Sequence, residues 1–362
     1  MAMVGVVFLR LMHTYVDDLI RTAADNQASD IFFAEGSIAR LKINGLIHPC
    51  GDRMLTRDEV VDFWKVCKAN PDEDMDKDAS YVSKSGIRFR VNCHKLGGKL
   101  GVVMRLIRSQ IPSMGALGLP EALLEKWLVK KNGLVLVTGP TGSGKSTTLA
   151  ACLEWINERM ARHVVTIEDP MEFEFRAKQC FFTQREVGLD TGSFSSGLRS
   201  ALRQAPDIIF VGEIRDAETA LTALQAAETG HLVLGTLHSS SVTDALERFL
   251  HLMDTTQREG VQSLLSFQLL GVLSQQLLPN ATENGSVLVC EHLDVEAAVR
   301  DWIRGMLLPE IREFMLRGDS EWNGTFLKNI FTAYSDGRIS YETALAHCGN
   351  HNEFNRLLRG IS

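Results

Sequence analysis

Residues 133–148, GLVLVTGPTGSGKSTT, constrain the fold more tightly than any other stretch of this 362-residue chain. An apolar run stops at a glycine-rich segment, and KSTTLAACLEWINERM then continues with apolar residues at helical spacing, so the segment reads as strand, tight loop and helix. Glycines let successive backbone N–H groups turn inward around an anion, and the helix start adds the positive end of its dipole. The spacing Gly139-x-x-x-x-Gly144-Lys145-Ser146 is that of a phosphate loop. Gly139, Pro140, Thr141, Gly142, Ser143, Gly144, Lys145, Ser146 and Thr147 are therefore the expected nucleotide-binding residues. Lys145 would neutralise β and γ oxygens, and the Ser146 hydroxyl would ligate magnesium.

The segments around the loop place it in an α/β fold. From Leu123 onward, VVTIED, DIIFVGE and LVLGTLH alternate with the helical patterns SGLRSALRQ and AETALTALQAAETG, which predicts a parallel, helix-covered sheet. Beyond it the chain is expected to be almost wholly helical, because Val261, Leu264, Leu265, Leu269, Val272, Leu273 and Leu277 fall on one apolar stripe. Residues 12–108 read as a smaller α/β domain: YVDDLIRTAADNQ has helical spacing, IARLKINGLIHP alternates around a turn at Asn44-Gly45, and GIRFRVNCHKLGGKLGVVMRLI reads as a hairpin. The Pro-, Gly- and Ser-rich stretch over 109–122 is the expected linker to a second domain at 123–362, and residues 1–11 read as a frayed extension.

Composition narrows the function class. A net charge of −7 argues against a general nucleic-acid coat, whose affinity draws on Lys and Arg. No segment approaches the roughly 20 apolar residues that span a bilayer. Seven cysteines stand singly with no CxxC, which favours a reducing compartment and no structural zinc. His347, Cys348 and His351 form one cluster at ligand-like spacing, one donor short of a closed site.

Hydrolysis needs carboxylates beside the loop, and carboxylates at the ends of parallel strands fall on the ligand side of such a sheet. TIEDPMEF supplies Glu168, Asp169 and Glu172. DIIFVGEIRD ends its strand in Gly212, where many phosphate-loop ATPases carry aspartate, and Glu213 follows. TGHLVLGTLH sets His231 and His238 at either end of a further strand, and both are expected on the same rim.

GPTGSGKSTT, TIEDPMEF, GEIRD and AETGHLVLGTLH, in this order, resemble the secretion ATPase superfamily of type II secretion and type IV pili, for which the Gly-Glu strand ending is characteristic. The resemblance runs from about residue 12 to the end of the chain. Within the superfamily the chain looks like the PilT/PilU pilus retraction branch: it lacks paired CxxC motifs, and AVRDWIRG resembles that branch's AIRNLIRE element. TQREVGLDT, LRQAPDIIFVGEIRD, VLSQQLLP and GRISYETALAHCGNHNEFNRLL look closer to its PilU side. In the N-terminal part, SDIFFAEGSIARLKINGLI lacks the family's histidine and proline pair, and Gly and Lys replace a common Gln-Arg pair in the 88–105 hairpin, leaving Arg105 as the candidate to reach a neighbour's nucleotide.

The resemblance implies a RecA-like phosphate-loop ATPase domain preceded by a PAS-like α/β domain, assembled as a hexameric ring. It implies ATP and Mg2+ as cofactors, and hydrolysis that drives pilus retraction and twitching motility, as motor or as PilU-like accessory in a ring mixed with a PilT-type ATPase. It further implies an inner-membrane pilus platform protein as partner and a cytoplasmic location, peripheral at the inner membrane. In this scheme Glu172 is the expected base, Glu213 serves magnesium and its waters, and His231 and His238 sense the γ-phosphate. A pilus assembly or type II secretion ATPase and a nucleic-acid translocase are the alternatives. Nucleic acid is disfavoured because no path interleaves basic and aromatic residues.

Overall fold

The computed structural model describes residues 15–43, 45–107, 110–282, 285–318 and 320–360. The extension expected at 1–11 and Asn44 of the expected turn lie outside them. The described residues divide into two compact units: one comprises residues up to 107 together with 172–174, and the other holds the rest.

The first unit consists of α1 (residues 15–25), β1 (Asp30–Ala34), β2 (Ile38–Ile43), β3 (Leu46–Met54), α2 (Arg57–Val66), β4 (Asp76–Val82), β5 (Arg88–Leu96) and β6 (Lys99–Leu106). Its six strands pair in the order β3-β2-β1-β6-β5-β4, antiparallel throughout. Along β5 the strand period of two sends Phe89, Val91 and Cys93 into the core. The helical spacing of Val16, Leu19, Ile20 and Ala23 buries the corresponding face of α1 in the same core. A capping box starts α2: the Glu59 carboxylate accepts from the Thr56 N–H at 2.9 Å and from its hydroxyl at 3.0 Å. Arg105 Nε donates to Asp30 Oδ1 at 2.7 Å, so this guanidinium already serves a buried carboxylate of its own domain.

The second unit begins with α3 (Glu121–Leu128), β7 (Gly133–Thr138), α4 (Lys145–Arg159), β8 (His163–Glu168), β9 (Phe181–Glu186), α5 (Phe194–Ala201), β10 (Ile208–Val211), α6 (Ala217–Glu228), β11 (Leu232–Leu237), α7 (Val242–His251) and α8 (Arg258–Gln268). It continues with β12 (Leu269–Pro279), β13 (Ser286–Asp294), α9 (Ala297–Gly305), α10 (Leu308–Arg317), α11 (Phe326–Ser335), α12 (Tyr341–His347) and α13 (His351–Leu358). The strand order is β13-β12-β7-β11-β10-β8-β9. Six strands are parallel, and β13 closes one edge antiparallel to β12. Within the expected linker stretch, Met114 is buried with its sulfur 3.9 Å from Cys152 Sγ of α4.

The expectation of an almost wholly helical tail is corrected here, because the stripe from Val261 to Leu277 breaks at Leu269. Val261 and Leu265 lie on α8, whereas Leu269, Val272, Leu273 and Leu277 belong to β12. A strand covered on both faces carries a continuous apolar run, which periodicity alone does not distinguish from a buried helix. Close packing settles the conformation: a Cβ at Gly271 would lie 2.0 Å from Trp127 Cζ2, so β12 runs flush against that indole. Across the hairpin, Glu291 of β13 accepts from the Val242 N–H at the start of α7 (2.8 Å) and from the Phe326 N–H at the start of α11 (3.5 Å). Among the described residues no helix is long and apolar enough to cross a membrane.

Candidate functional site

Because six strands run the same way, the segments after β7, β8, β10 and β11 emerge on one rim of the second unit. The phosphate loop leaves β7. Gly139 has φ +147°, and a Cβ there would lie 2.4 Å from the Gln275 carbonyl oxygen and 2.5 Å from Ser143 Oγ, so the turn has room only for glycine. Gly144, in the left-handed region at φ 87°, hands the chain to α4, whose first turn has no side-chain cap. Its N–H groups are thus available to an anion. Lys145 curls back over the loop, with Nζ donating to the carbonyls of Gly139 (2.9 Å) and Pro140 (3.0 Å). Ser143 Oγ is buried without a hydrogen-bond partner among the described residues. A turn closed to a Cβ at Gly139, an uncapped helix start and an ammonium group beside it fit a polyphosphate. The half-buried Ser146 in that first turn and the Glu213 carboxylate carry oxygen donors of the hard kind that magnesium would take.

Gly212 stands where it does for want of space. A Cβ there would lie 3.0 Å from the Ile167 carbonyl oxygen and 3.2 Å from Glu168 Cα, both backbone atoms of β8. Thr236 Oγ1 donates to the Gly212 carbonyl, tying β11 to the same point. The carboxylate therefore comes one residue later. Glu213 accepts from His238 Nε2 at 3.1 Å and from Arg215 Nη2 at 2.6 Å, and Arg215 Nη1 lies 3.8 Å from Asp169 Oδ2. Three strand ends, after β8, β10 and β11, are linked through these four side chains.

Burial first, and then the charge of Lys145, hold the His238 pKa below its ordinary 6.5, with Glu213 pulling the other way. A neutral imidazole donating from Nε2 leaves Nδ1 as an acceptor, so the ring's single N–H is engaged by Glu213. Glu168, the last residue of β8, is buried, and its Oε1 accepts from Thr166 Oγ1 at 2.7 Å.

His231 is not on this rim. It precedes β11 and His238 follows it, so in a parallel sheet the two occupy opposite edges, about 20 Å apart at the rise of a strand. Its Nδ1 donates to the Ala226 carbonyl at 2.9 Å near the end of α6, which is a structural use of the ring. The same-rim expectation fails because a strand of six residues carries its ends to opposite sides of the sheet. Glu172 is exposed and groups with the first unit, whereas Lys145, Glu213 and His238 lie in the second.

Two residues in contact with this rim escape a reading of the sequence. Arg215 sits two residues beyond Glu213 in GEIRD, and its spacing from the strand end is the signal for it. Gln275 lies on β12, where its position beneath the loop was hidden by the helical reading of that stretch.

The type II/IV secretion system protein family matches residues 9–304. The type IV pilus ATPase PilU of Pseudomonas aeruginosa is 36% identical over 348 residues, covering 95% of this chain and 91% of PilU. The type IV pilus retraction ATPase PilT of the same organism is 37% identical over 334 residues, covering 91% of this chain and 96% of PilT. A crystal structure of the pilus retraction motor PilT with bound ADP superposes with a TM-score of 0.86 at 38% identity, covering 94% of this chain and 99% of that one.

Proposed function

The chain belongs to the type II/IV secretion system protein family, and from that premise we propose that it is an ATPase whose hydrolysis of ATP drives type IV pilus retraction. Its working form in this reading is a hexameric ring, alone or mixed with a PilT-type ATPase, peripheral to the inner membrane on the cytoplasmic side and docked on a pilus platform protein. The similarity to PilU and PilT over nine-tenths of the chain supports the class. The observation that carries the chemistry is the phosphate loop and the Glu213–His238 pair on one rim.

Phosphoryl transfer to water is catalysed mainly by positioning and charge neutralisation. ATP is the substrate, and its phosphates would displace the Lys145 ammonium from the carbonyls of Gly139 and Pro140. Magnesium, held by Ser146 and Glu213, would neutralise charge on the β and γ oxygens. Glu172 is assigned as the base: it takes a proton from water as the water oxygen bonds to the γ-phosphorus, and the electron pair of the broken P–O bond leaves with ADP. Arg215 and His238 hold the two oxygens of Glu213 in place. His238 would register the γ-phosphate as a hydrogen-bond donor, its Nε2–H passing from Glu213 to a phosphate oxygen while that phosphate is bound and returning when it leaves.

Lys145→Ala should abolish phosphate release while circular dichroism and melting stay close to wild type; full release by the variant contradicts the site. A deletion strain distinguishes the cellular roles, since hyperpiliated, non-twitching cells indicate retraction and bald cells indicate assembly. Strong stimulation of turnover by single-stranded DNA counts against both.

A further inference from the structure

We propose that Gln275 is a positioning residue for the phosphate loop, its side-chain amide turning the Ser143–Gly144 peptide so that the Gly144 N–H faces the phosphates. The inference rests on the nucleotide reading above and adds a residue from β12 to it. Gln275 is fully buried, and its Nε2 donates to the Ser143 carbonyl oxygen at 2.6 Å. The C=O and N–H of a trans peptide point in opposite directions. Holding the Ser143 oxygen down against β12 therefore sends the Gly144 N–H up, away from the sheet. No backbone acceptor among the described residues takes that N–H.

Gln275 is placed for this role by the sheet register. Ser274 pairs with Thr138, the last residue of β7, and their hydroxyls meet at 2.6 Å. Gln275 is thus one step beyond the end of β7 and directly beneath the loop. Its own carbonyl lines the space where a Cβ of Gly139 would sit, and its Nε2 lies 3.3 Å from where a Cβ of Gly144 would be. One side chain and one carbonyl thereby set both ends of the turn. The chemistry also selects the residue type: a carboxylate would repel the Ser143 oxygen and the phosphates, and a lysine would bury a charge. An apolar side chain would fill the volume and leave the peptide free to rotate.

The test is equilibrium binding of ADP and steady-state ATP hydrolysis by the full chain, for the wild type, Gln275→Met, Gln275→Asn, Gln275→Glu and Lys145→Ala. Methionine keeps length and volume and removes the donor; asparagine keeps the amide one methylene short. Both should weaken ADP binding and raise KM about three- to tenfold, the worth of one net hydrogen bond, with kcat within about twofold of wild type. Gln275→Glu should lose more than either. Without nucleotide, Gln275→Met conserves packing but leaves the Ser143 oxygen without its donor, so it should melt a few degrees below wild type, and added ADP should stabilise it less than it stabilises the wild type. Wild-type ADP affinity in Gln275→Met and Gln275→Asn overturns the proposal, as does a loss confined to nucleotide-free stability. If the wild-type protein itself binds no ADP, the nucleotide reading falls and takes this one with it; binding that Lys145→Ala removes and Gln275→Met leaves untouched sinks this one alone.

Discussion

Replacing Gly212 tests why this chain ends β10 without the usual aspartate. An alanine Cβ would approach the Ile167 oxygen to 3.0 Å, Glu168 Cα to 3.2 Å and Phe194 Cε1 to 3.4 Å. Two of these are backbone atoms of β8, which is hydrogen-bonded on one side to β10 and on the other to β9, so the strand has nowhere to yield. Overpacking of this kind costs about 1–3 kcal/mol. At roughly 2–4 °C per kcal/mol for a domain of this size, Gly212→Ala should melt about 2–12 °C below wild type. Gly212→Asp adds a carboxylate next to the buried Glu168, so its loss should be larger and its ATP turnover lower. Thermal unfolding followed by circular dichroism, with phosphate release measured on the same preparations, reads both effects. A Gly212→Asp protein that melts with the wild type and hydrolyses ATP at least as fast would refute the argument. It would mean that the strand end does accommodate aspartate and that Glu213 is not its substitute.

Further expectations concern the rim and the hairpin. Glu172→Gln should lose roughly 10²–10⁴-fold in turnover with nucleotide binding preserved, as for a general base; if it does not and Glu213→Gln does, the role passes to Glu213. In an NMR titration His238 should protonate below its ordinary 6.5, and Lys145→Ala should raise the midpoint by removing a neighbouring positive charge. Since the unfolded chain takes up this proton at higher pH than the folded one, the contribution of His238 to stability is complete above about pH 6.5 and is lost as pH falls toward the lowered value. A midpoint at or above 6.5 contradicts the environment described. Glu291→Ala strands the N–H groups of Val242 and Phe326 and should cost about 1–3 kcal/mol in denaturant unfolding; an unchanged midpoint would show that water replaces the carboxylate at no cost.

The sequence made legible those features that depend on local chemistry. The phosphate loop declares itself through glycine spacing between an apolar run and a helix, and Glu213 declares itself as the first carboxylate after a buried strand. What depended on two-sided burial or on direction did not show. β12 passed for a helix because a strand covered on both faces has no alternation to display. His231 passed for a rim residue because a motif lists its histidines without saying which end of the strand each one holds. The substitution of glycine at 212 was visible as an oddity, and only the backbone of β8 supplies its cause.

Glu291 gives one carboxylate to the beginnings of two helices that are far apart in the chain. Neither α7 nor α11 can lift from β13 without abandoning a shielded amide, so the pair must travel as one piece. Only the short run 239–241 separates α7 from His238. A displacement begun at that imidazole has little slack to absorb it before it tugs on the far helices.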